Sequence, residues 1–316
     1  MEIIYDNPLF RPPSEANSLI FQVTLGCSFN RCSFCNMYRT KEYRERQWEE
    51  IKTEVDLTSS AYPETRRIFL ADGDALNLST DKLIKIIKYL YSNFSNLERV
   101  ACYAMPKNLL QKSDFDLDKL REAGLGMMYL GIETGNDALL MKITKGATSK
   151  GILQACQKAK AHKFVLSCMV ILGIGGSTYT KQHIDDTARL VSVVSPDYLA
   201  ALNLQLEEGI YEEFMRKFGE PYIPVSDYEV LDELERLVSQ ISSQRSIVFR
   251  ANHASNVYSL GGTLPDDRKR LLSLIEGLKK RPELLKPKAL RRFLTKKCNK
   301  LARRSVKIKV SKILMR

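Results

Sequence analysis

Residues 18–38 read SLIFQVTLGCSFNRCSFCNMY, a β-branched and aromatic run that leads directly into a loop with three of the chain's seven cysteines. The run predicts a buried strand over residues 18–25. The cysteines that follow, Cys27, Cys32 and Cys35, have the spacing C-x4-C-x2-C. The sequence therefore places three thiols at the carboxyl end of the first strand.

Three thiolates this close in sequence can bind one metal centre, and Arg31, Arg39 and Lys41 supply positive charge that would favour the thiolate forms. Structural zinc normally takes four protein ligands, and the nearest remaining donors, Cys102 and His162, are far along the chain. A four-iron cluster held by three cysteines would instead leave one iron open to a small molecule. The third interpretation is that the cysteines pack as small apolar residues, which suits a strand or a helix better than this loop.

The alternation of strand and helix then repeats along the chain. Apolar runs predict five further strands, at residues 67–71, 100–105, 126–132, 164–172 and 198–204. Helical spacing first appears over residues 42–57 and recurs between the later strands. Strands that are apolar on both faces are typical of parallel sheets covered by helices. The fold class is therefore α/β, and periodicity alone fits either a partial barrel or a doubly wound open sheet.

The cysteine loop, with Phe34 just before its last cysteine, resembles the cluster loop of the radical S-adenosylmethionine (radical SAM) superfamily. The commonest spacing in that family has three residues between the first two cysteines, and this chain has four. Two further runs, GIETG at 131–135 and MKITKG at 141–146, resemble the subgroup of coproporphyrinogen oxidase-like proteins and methylthiotransferases. The resemblance implies a partial (βα)6 TIM-like barrel of parallel strands.

The same resemblance implies two cofactors, a [4Fe-4S] cluster on the three cysteines and S-adenosylmethionine on the open iron. One-electron reduction would cleave S-adenosylmethionine to methionine and a 5′-deoxyadenosyl radical, which takes hydrogen from a substrate that the sequence does not identify. An electron donor such as flavodoxin or ferredoxin would supply the electron. The expected activity is that of an oxidoreductase or transferase.

The resemblance also implies which residues contact S-adenosylmethionine. Asp72, Gly73 and Asp74 lie where the family holds the amino group of the cofactor, although an Asp-Gly turn is the alternative. Glu133 would face the ligand cavity, or would otherwise be a charge at a helix start. Phe34 would pack by the adenine. Two weaker candidates at later strand ends are Ile171 and Asn203.

The pattern changes after residue 205. Helical spacing over 211–218, 227–241 and 266–280, with one strand at 246–250, predicts an α-rich segment that packs on the barrel. Arg250, Asn252 and His253 follow that strand and are candidate contacts to an anionic or hydrogen-bonding substrate. The predicted organisation is an arm over 1–17, a core barrel over 18–205, the appended segment over 206–280 and a basic tail over 281–316.

The remaining cysteines and histidines are assigned no chemistry. Cys102, Cys156 and Cys168 lie in apolar runs and are expected to be packing residues. His162 and His183 fall on predicted helices and are expected at the surface.

The net charge of +12 belongs to the tail. From residue 279 onward there are 16 Lys and Arg against one acid, so residues 1–278 carry 33 basic and 36 acidic side chains. The tail has a basic amphipathic stripe that would suit RNA or an anionic surface, and a solvated extension is the alternative. No apolar run is long enough to span a membrane and no signal peptide is evident, so a cytoplasmic protein is expected. Two alternative functions remain: a haem- or porphyrin-binding carrier on the same fold, and an RNA-modifying radical SAM enzyme.

Overall fold

The computed structural model describes residues 5–281. The strands within them are β1 (Leu19–Gln22), β2 (Thr24–Leu25), β3 (Arg44–Glu45), β4 (Arg67–Ala71), β5 (Arg99–Tyr103), β6 (Leu125–Glu133), β7 (Val165–Leu172), β8 (Tyr198–Asn203), β9 (Ile247–Ala251) and β10 (Leu260–Leu264). The helices are α1 (Trp48–Ala61), α2 (Thr80–Asn93), α3 (Pro106–Gln111), α4 (Asp114–Ala123), α5 (Asp137–Lys142), α6 (Ser149–Ala161), α7 (Gly176–Val194), α8 (Glu208–Phe218), α9 (Asp227–Gln240) and α10 (Arg268–Lys280). The basic tail predicted over 281–316 lies outside the described residues from position 282 onward.

The main sheet has eight strands in the order β1-β4-β5-β6-β7-β8-β9-β10. Neighbouring strands from β1 to β9 are parallel, and β10 runs antiparallel to β9. Helices connect the parallel strands, as crossover connections require. The predicted α/β class is confirmed, the six predicted parallel strands are all present with β9 as a seventh, and the described sheet is open, with β1 and β10 at its edges.

The structure differs from the predictions at three points: the role of β9, the presence of β10 and the start of α1. The strand predicted over residues 246–250 is β9, and it continues the parallel sheet beyond β8. The sequence does not predict β10 because its centre is a Gly-Gly pair, which is unfavourable in a strand. The helix predicted over residues 42–57 begins only at Trp48, because the residues of β3 pair with β2 instead.

The two faces of the main sheet are covered differently. Helices cover one face and form the larger core with it. On the other face the N-terminal arm covers the β1-to-β6 half, where Tyr5 and Leu9 pack with Phe69 and Tyr129. Beyond β6 the same face is more open, and Tyr198 is 40% exposed. No helix within residues 5–281 combines the length and apolarity needed to cross a lipid bilayer.

One row of paired residues runs across this open part of the sheet. The row consists of Gly131, Met169, Ala200, Arg250 and Gly261, one from each strand from β6 to β10. Paired residues of neighbouring strands point to the same face, and strands lie about 4.8 Å apart, so the three steps from β6 to β9 span at most about 15 Å. The row therefore connects the end of β6 with the appended segment.

Candidate functional site

The cysteine loop begins where two strand ends touch. Gly26, at φ +71°, donates its N–H to a carboxylate oxygen of Asp72 (3.0 Å) and accepts from the N–H of Gly73 (3.0 Å). A Cβ at Gly73 would lie 2.8 Å from the Cβ of Cys27 and 2.7 Å from the ring of Tyr38. Because these separations are too short for carbon atoms, the loop can approach the end of β4 only at a glycine.

The opposite side of the loop packs on the connection between α5 and α6. A Cβ at Gly146 would lie 2.4 Å from the ring of Phe29, so the ring rests directly on the glycine backbone. The N–H of Ser33 donates to the carbonyl oxygen of Ile143 at 3.0 Å. The run at 141–146 therefore supports the cysteine loop.

A third side of the loop is held by Arg39 and by α8. The guanidinium of Arg39 donates to the carbonyl oxygens of Cys32 (2.7 Å) and Cys35 (3.1 Å) and lies 3.4 Å from a carboxylate oxygen of Glu213. This cation, predicted to favour the thiolates, instead fixes the backbone between them. The segment after residue 205 thus contributes to the site.

The three thiols of the loop act on one another electrostatically. Burial raises the pKa of Cys32 to about 12, with Cys35 and Cys27 adding to the rise and Lys145 opposing it. Burial also raises the pKa of Cys27 and Cys35, and Lys145 again acts in the lowering direction. Since charge interactions weaken with distance, the three thiols and the Lys145 ammonium are near enough to influence one another.

These thiols fit the donor set of a four-iron cluster. Among residues 5–281, no three His, Cys, Asp or Glu side chains are arranged around a single metal ion. A four-iron cluster does not need that arrangement, because its cysteines bind different irons. The other three described cysteines, Cys102, Cys156 and Cys168, are completely buried in the larger core, as predicted.

Glu133 and Lys145 form a largely buried ion pair beside the cysteines. Their charged atoms lie 2.6 Å apart, and the side chains are 9% and 12% exposed. Glu133 has φ +63°, which is uncommon for a residue with a Cβ, and the pairing of β6 with β7 shifts register just before it. A Cβ at Gly131 would fall 1.9 Å from the Glu133 carboxylate. The end of β6 is therefore bent so that the carboxylate faces the cysteine loop, where it raises the pKa of Cys32 and Cys35.

The two aspartates of the DGD run have different surroundings. Asp72 is completely buried and accepts a hydrogen bond from Lys41 (2.8 Å). Asp74 is also completely buried and accepts from the hydroxyl of Ser28, while its second oxygen makes no hydrogen bond within residues 5–281. Burial raises the pKa of Asp74 to about 6, and the Ser28 hydroxyl and then the Asn108 amide oppose the rise. Asp72 thus supports the loop, whereas Asp74 keeps one oxygen for a further donor.

Phe34 and Ile171 belong to one small apolar cluster with Phe214 of α8. The Ile171 carbonyl lies 3.0 Å from Nε2 of His183, whose Nδ1 lies 2.8 Å from the hydroxyl of Thr134. The prediction that His183 is a surface residue is wrong, because the ring is completely buried and fixes the ends of β6 and β7. Burial lowers its pKa to about 4, so the ring is neutral at physiological pH.

Asn203 is surrounded by polar groups of the protein. Its N–H donates to the side chain of Asn256 (3.0 Å), and its amide oxygen accepts from the hydroxyl of Tyr258 (3.4 Å). His253 lies in the same loop after β9, with Nδ1 2.8 Å from the hydroxyl of Ser255. The structure therefore brings Asn203 and His253 together, in a network that holds this loop over the end of β8.

Arg250 and Asn252 line a polar pocket of about 430 Å³ at the β9–β10 edge. The guanidinium of Arg250 donates to the carbonyl oxygens of Phe249 (2.8 Å) and Gly262 (3.3 Å), and within residues 5–281 no carboxylate pairs with it. A Cβ at Gly261 would lie 3.1 Å from Cδ of Arg250, so the glycine lets the side chain lie across β10. The Gly-Gly pair that hides β10 in the sequence thus shapes this pocket.

Glu233 of α9 is a buried carboxyl that sequence reasoning misses. One of its oxygens accepts from the N–H of Gly173 (2.6 Å), in the glycine-rich turn after β7, and the other makes no hydrogen bond within the described residues. Burial raises its pKa to about 7. A glutamate on an amphipathic helix is ordinarily exposed, so only its position on the buried stripe could have revealed it.

Comparison with known proteins identifies the family. The model described as the radical SAM superfamily matches residues 21–191, which is more than half of the chain. The chain belongs to this superfamily. Its cofactors are accordingly a [4Fe-4S] cluster and S-adenosylmethionine, and the three-thiol donor set fits the cluster.

Individual relatives are distant. The haem chaperone HemW of Bacillus subtilis (strain 168) is 24% identical over 208 residues, covering 64% of this chain and 52% of that protein. The structure of coproporphyrinogen III oxidase (HemN) from Escherichia coli superposes with a TM-score of 0.53 at 18% identity, covering 70% of this chain and 51% of that one. The structure of methylornithine synthase (PylB) covers 88% of this chain and 85% of that one at 16% identity and a TM-score of 0.46. The chain spans about half the length of the first two, and the likeness to HemN concerns the fold.

Proposed function

We propose that this chain is a radical SAM enzyme in which Cys27, Cys32 and Cys35 hold the cluster. The observation that carries the proposal is the way the loop with these three cysteines is held at the strand ends, by Gly73 against Cys27, by Ile143 against Ser33 and by Arg39 on the Cys32 and Cys35 carbonyls. When bound and reduced, the cluster supplies the electron that cleaves S-adenosylmethionine to methionine and a 5′-deoxyadenosyl radical. An external one-electron donor of the flavodoxin or ferredoxin type supplies that electron.

The chain's own residues bind and orient S-adenosylmethionine. Glu133 and the unpaired oxygen of Asp74 are the carboxylates available to its ammonium group. Gly73 lets the end of β4 lie close to Cys27, and the Asp72 carboxylate holds the two together by accepting a hydrogen bond from the N–H of Gly26. Phe34 and Ile171 present an apolar surface and lie near the adenine. Asn203, at the end of the neighbouring strand β8, helps to hold the adjacent loop in place through its hydrogen bond with Asn256.

The substrate lies on the open face of the sheet between β6 and β10. Arg250 shares a row with Gly131, two residues before Glu133, and therefore lies within about 15 Å of Gly131. No carboxylate between residues 5 and 281 pairs with this guanidinium, and the Asp267 carboxylate that lines the same pocket is paired with Arg270 at 2.9 Å. With Asn252 and Thr263 beside it, the guanidinium suits an anionic group of a small molecule. His253 positions the adjacent loop through Ser255. The proposed substrate thus carries an oxyanion distant from its reacting carbon.

The test is reductive cleavage of S-adenosylmethionine by the full chain. The protein is reconstituted anaerobically with iron and sulfide and mixed with dithionite and S-adenosylmethionine, and 5′-deoxyadenosine is quantified by liquid chromatography. The expected result is 5′-deoxyadenosine that depends on both the reductant and the cluster. A fully loaded protein that forms none would contradict the enzyme assignment.

A second function, carriage of haem or a porphyrin, is favoured by the similarity to the haem chaperone from Bacillus subtilis. His183 is not available as a haem ligand, because both of its ring nitrogens are engaged in the core. Titration of the reconstituted protein with haemin, followed by its Soret absorbance, separates the two functions. Stoichiometric haem binding without cleavage of S-adenosylmethionine would favour the carrier, and cleavage without haem binding would favour the enzyme.

A further inference from the structure

The ion pair of Lys145 and Glu133 is built at the expense of local backbone preference. The positive φ of Glu133 is unfavourable for a residue with a side chain, and a shift in the pairing of β6 with β7 precedes it. Thr144, next to Lys145, also has a positive φ, of 53°. Gly131 leaves the space that the carboxylate occupies. Such strained positions persist only where surrounding contacts impose them, and here they bring two opposite charges to one point.

The two charges act on the cysteines in opposite directions. The run that carries Lys145 rests directly on the cysteine loop, because the N–H of Ser33 donates to the Ile143 carbonyl oxygen at 3.0 Å and the Phe29 ring lies against Gly146. From this position the Lys145 ammonium favours the negative form of the thiols, and the carboxylate of its partner Glu133 disfavours it. Of the three cations expected to do this, Arg31 is exposed to solvent and the other two are engaged elsewhere. Arg39 binds backbone carbonyls, and Lys41 binds Asp72. Within residues 5–281, Lys145 is therefore the lysine that balances the negative charge of the cysteine site.

We propose that Lys145 sets the reduction potential of the cluster and that Glu133 opposes it. Reduction adds one electron, so a fixed ammonium near the thiolates favours the reduced state and a fixed carboxylate disfavours it. Lys145 is therefore not a catalytic residue: its charge acts on the cluster and on the cysteines that hold it. The inference rests on the proposed assignment of the three cysteines.

A redox titration of the reconstituted full chain, without S-adenosylmethionine, tests the inference. The reduced cluster is followed by electron paramagnetic resonance in the wild type, Lys145→Met, Lys145→Arg and Glu133→Gln. In Lys145→Met the ratio of oxidised to reduced cluster at a given potential is expected to rise about tenfold, which for one electron corresponds to a midpoint potential lower by about 59 mV. Lys145→Arg should restore the wild-type midpoint, and Glu133→Gln should raise it.

Lys142→Met is the matched control, because this nearby lysine pairs with Glu220 and stacks on Phe218. Its midpoint should equal that of the wild type. A loaded Lys145→Met protein with the wild-type midpoint would overturn the inference, as would an equal shift in the control. If Lys145→Met does not assemble a cluster, Glu133→Gln decides, and an unchanged midpoint there overturns the inference. Failure of the wild type itself to assemble a four-iron cluster would refute the cysteine assignment instead.

Discussion

Two buried lysine–carboxylate pairs lie on either side of the cysteine loop, and they differ in what else they contact. In the first, Lys41 and Asp72 are 2.8 Å apart and 3% and 0% exposed. In the second, Lys145 and Glu133 are 2.6 Å apart and 12% and 9% exposed. Distance alone would make them equivalent.

The difference lies in the remaining hydrogen bonds. Asp72 also accepts from the N–H of Gly26 and from Gln22, so its oxygens are satisfied within the fold. Among the described residues, the Glu133 carboxylate accepts a hydrogen bond only from Lys145. A buried carboxylate with several donors stabilises structure, whereas one with a single hydrogen-bond donor keeps acceptor capacity for a ligand. The first pair is structural, and we assign the second to the cofactor site.

The largest expected effect comes from breaking the structural pair. Asp72→Asn leaves the buried Lys41 ammonium with the more exposed Asp6 carboxylate, at 3.1 Å, and should lower the free energy of unfolding by about 3 kcal/mol. Urea unfolding of the metal-free protein measures it. Lys41→Met should have a similar effect, and the double variant should lose less than the sum of the two. A loss of less than about 1 kcal/mol for Asp72→Asn would remove the distinction between the pairs.

Glu233 is a third buried carboxyl, and within residues 5–281 no lysine pairs with it. Its folded-state pKa of about 7 lies above the ordinary value of 4.5, so its contribution to stability is complete below pH 4.5 and is lost as the pH rises through 7. Glu233→Gln should therefore gain about 3 kcal/mol relative to the wild type between pH 4.5 and 7.5. Urea unfolding at several pH values measures this difference, and a pH-independent difference would contradict the buried environment.

Breaking the second pair should affect the fold least. Glu133→Gln is expected to lower the free energy of unfolding by about 2 kcal/mol, because the glutamine oxygen still accepts from Lys145 and both side chains are less buried than Lys41 and Asp72. The same change removes a carboxylate assigned to the ammonium of S-adenosylmethionine, so the Kd for that cofactor should rise about tenfold. Equilibrium binding to the loaded protein measures it. Asp137→Asn, whose carboxylate accepts from Ser149 at the surface, is the control and should leave the Kd unchanged.

The sequence predicts the fold well because parallel strands covered on both faces are continuous apolar runs. It also locates the cysteines and Glu133 through short, distinctive runs. It does not predict β10, whose glycines are needed for Arg250, or the start of α1, which depends on a long-range pairing of β3. The local sequence pattern does not reveal the pairing of β2 with β3 or the packing of Arg250 on Gly261.

The same limit applies to the charges of the site. Arg39 and Lys41 lie close to the cysteines in sequence, but their partners are carbonyls and Asp72. The cation that acts on the thiols, Lys145, comes from more than 100 residues further along the chain. His183 looks like a surface residue on its helix, and only the packing of β6 and β7 shows that it is buried. The electrostatic role of a side chain depends on its tertiary contacts, which cannot be read from the spacing of residues in the sequence.

Iron and sulfide analysis, with electron paramagnetic resonance of the reduced protein, tests the central claim most directly. Cys32→Ala is compared with Cys102→Ala, in which the lost cysteine is a buried core residue. The wild type and Cys102→Ala should each bind about four irons and give the same spectrum, whereas Cys32→Ala should not assemble a stable four-iron cluster. A Cys32→Ala protein with the iron content and spectrum of the wild type would contradict the assignment of the cysteine loop.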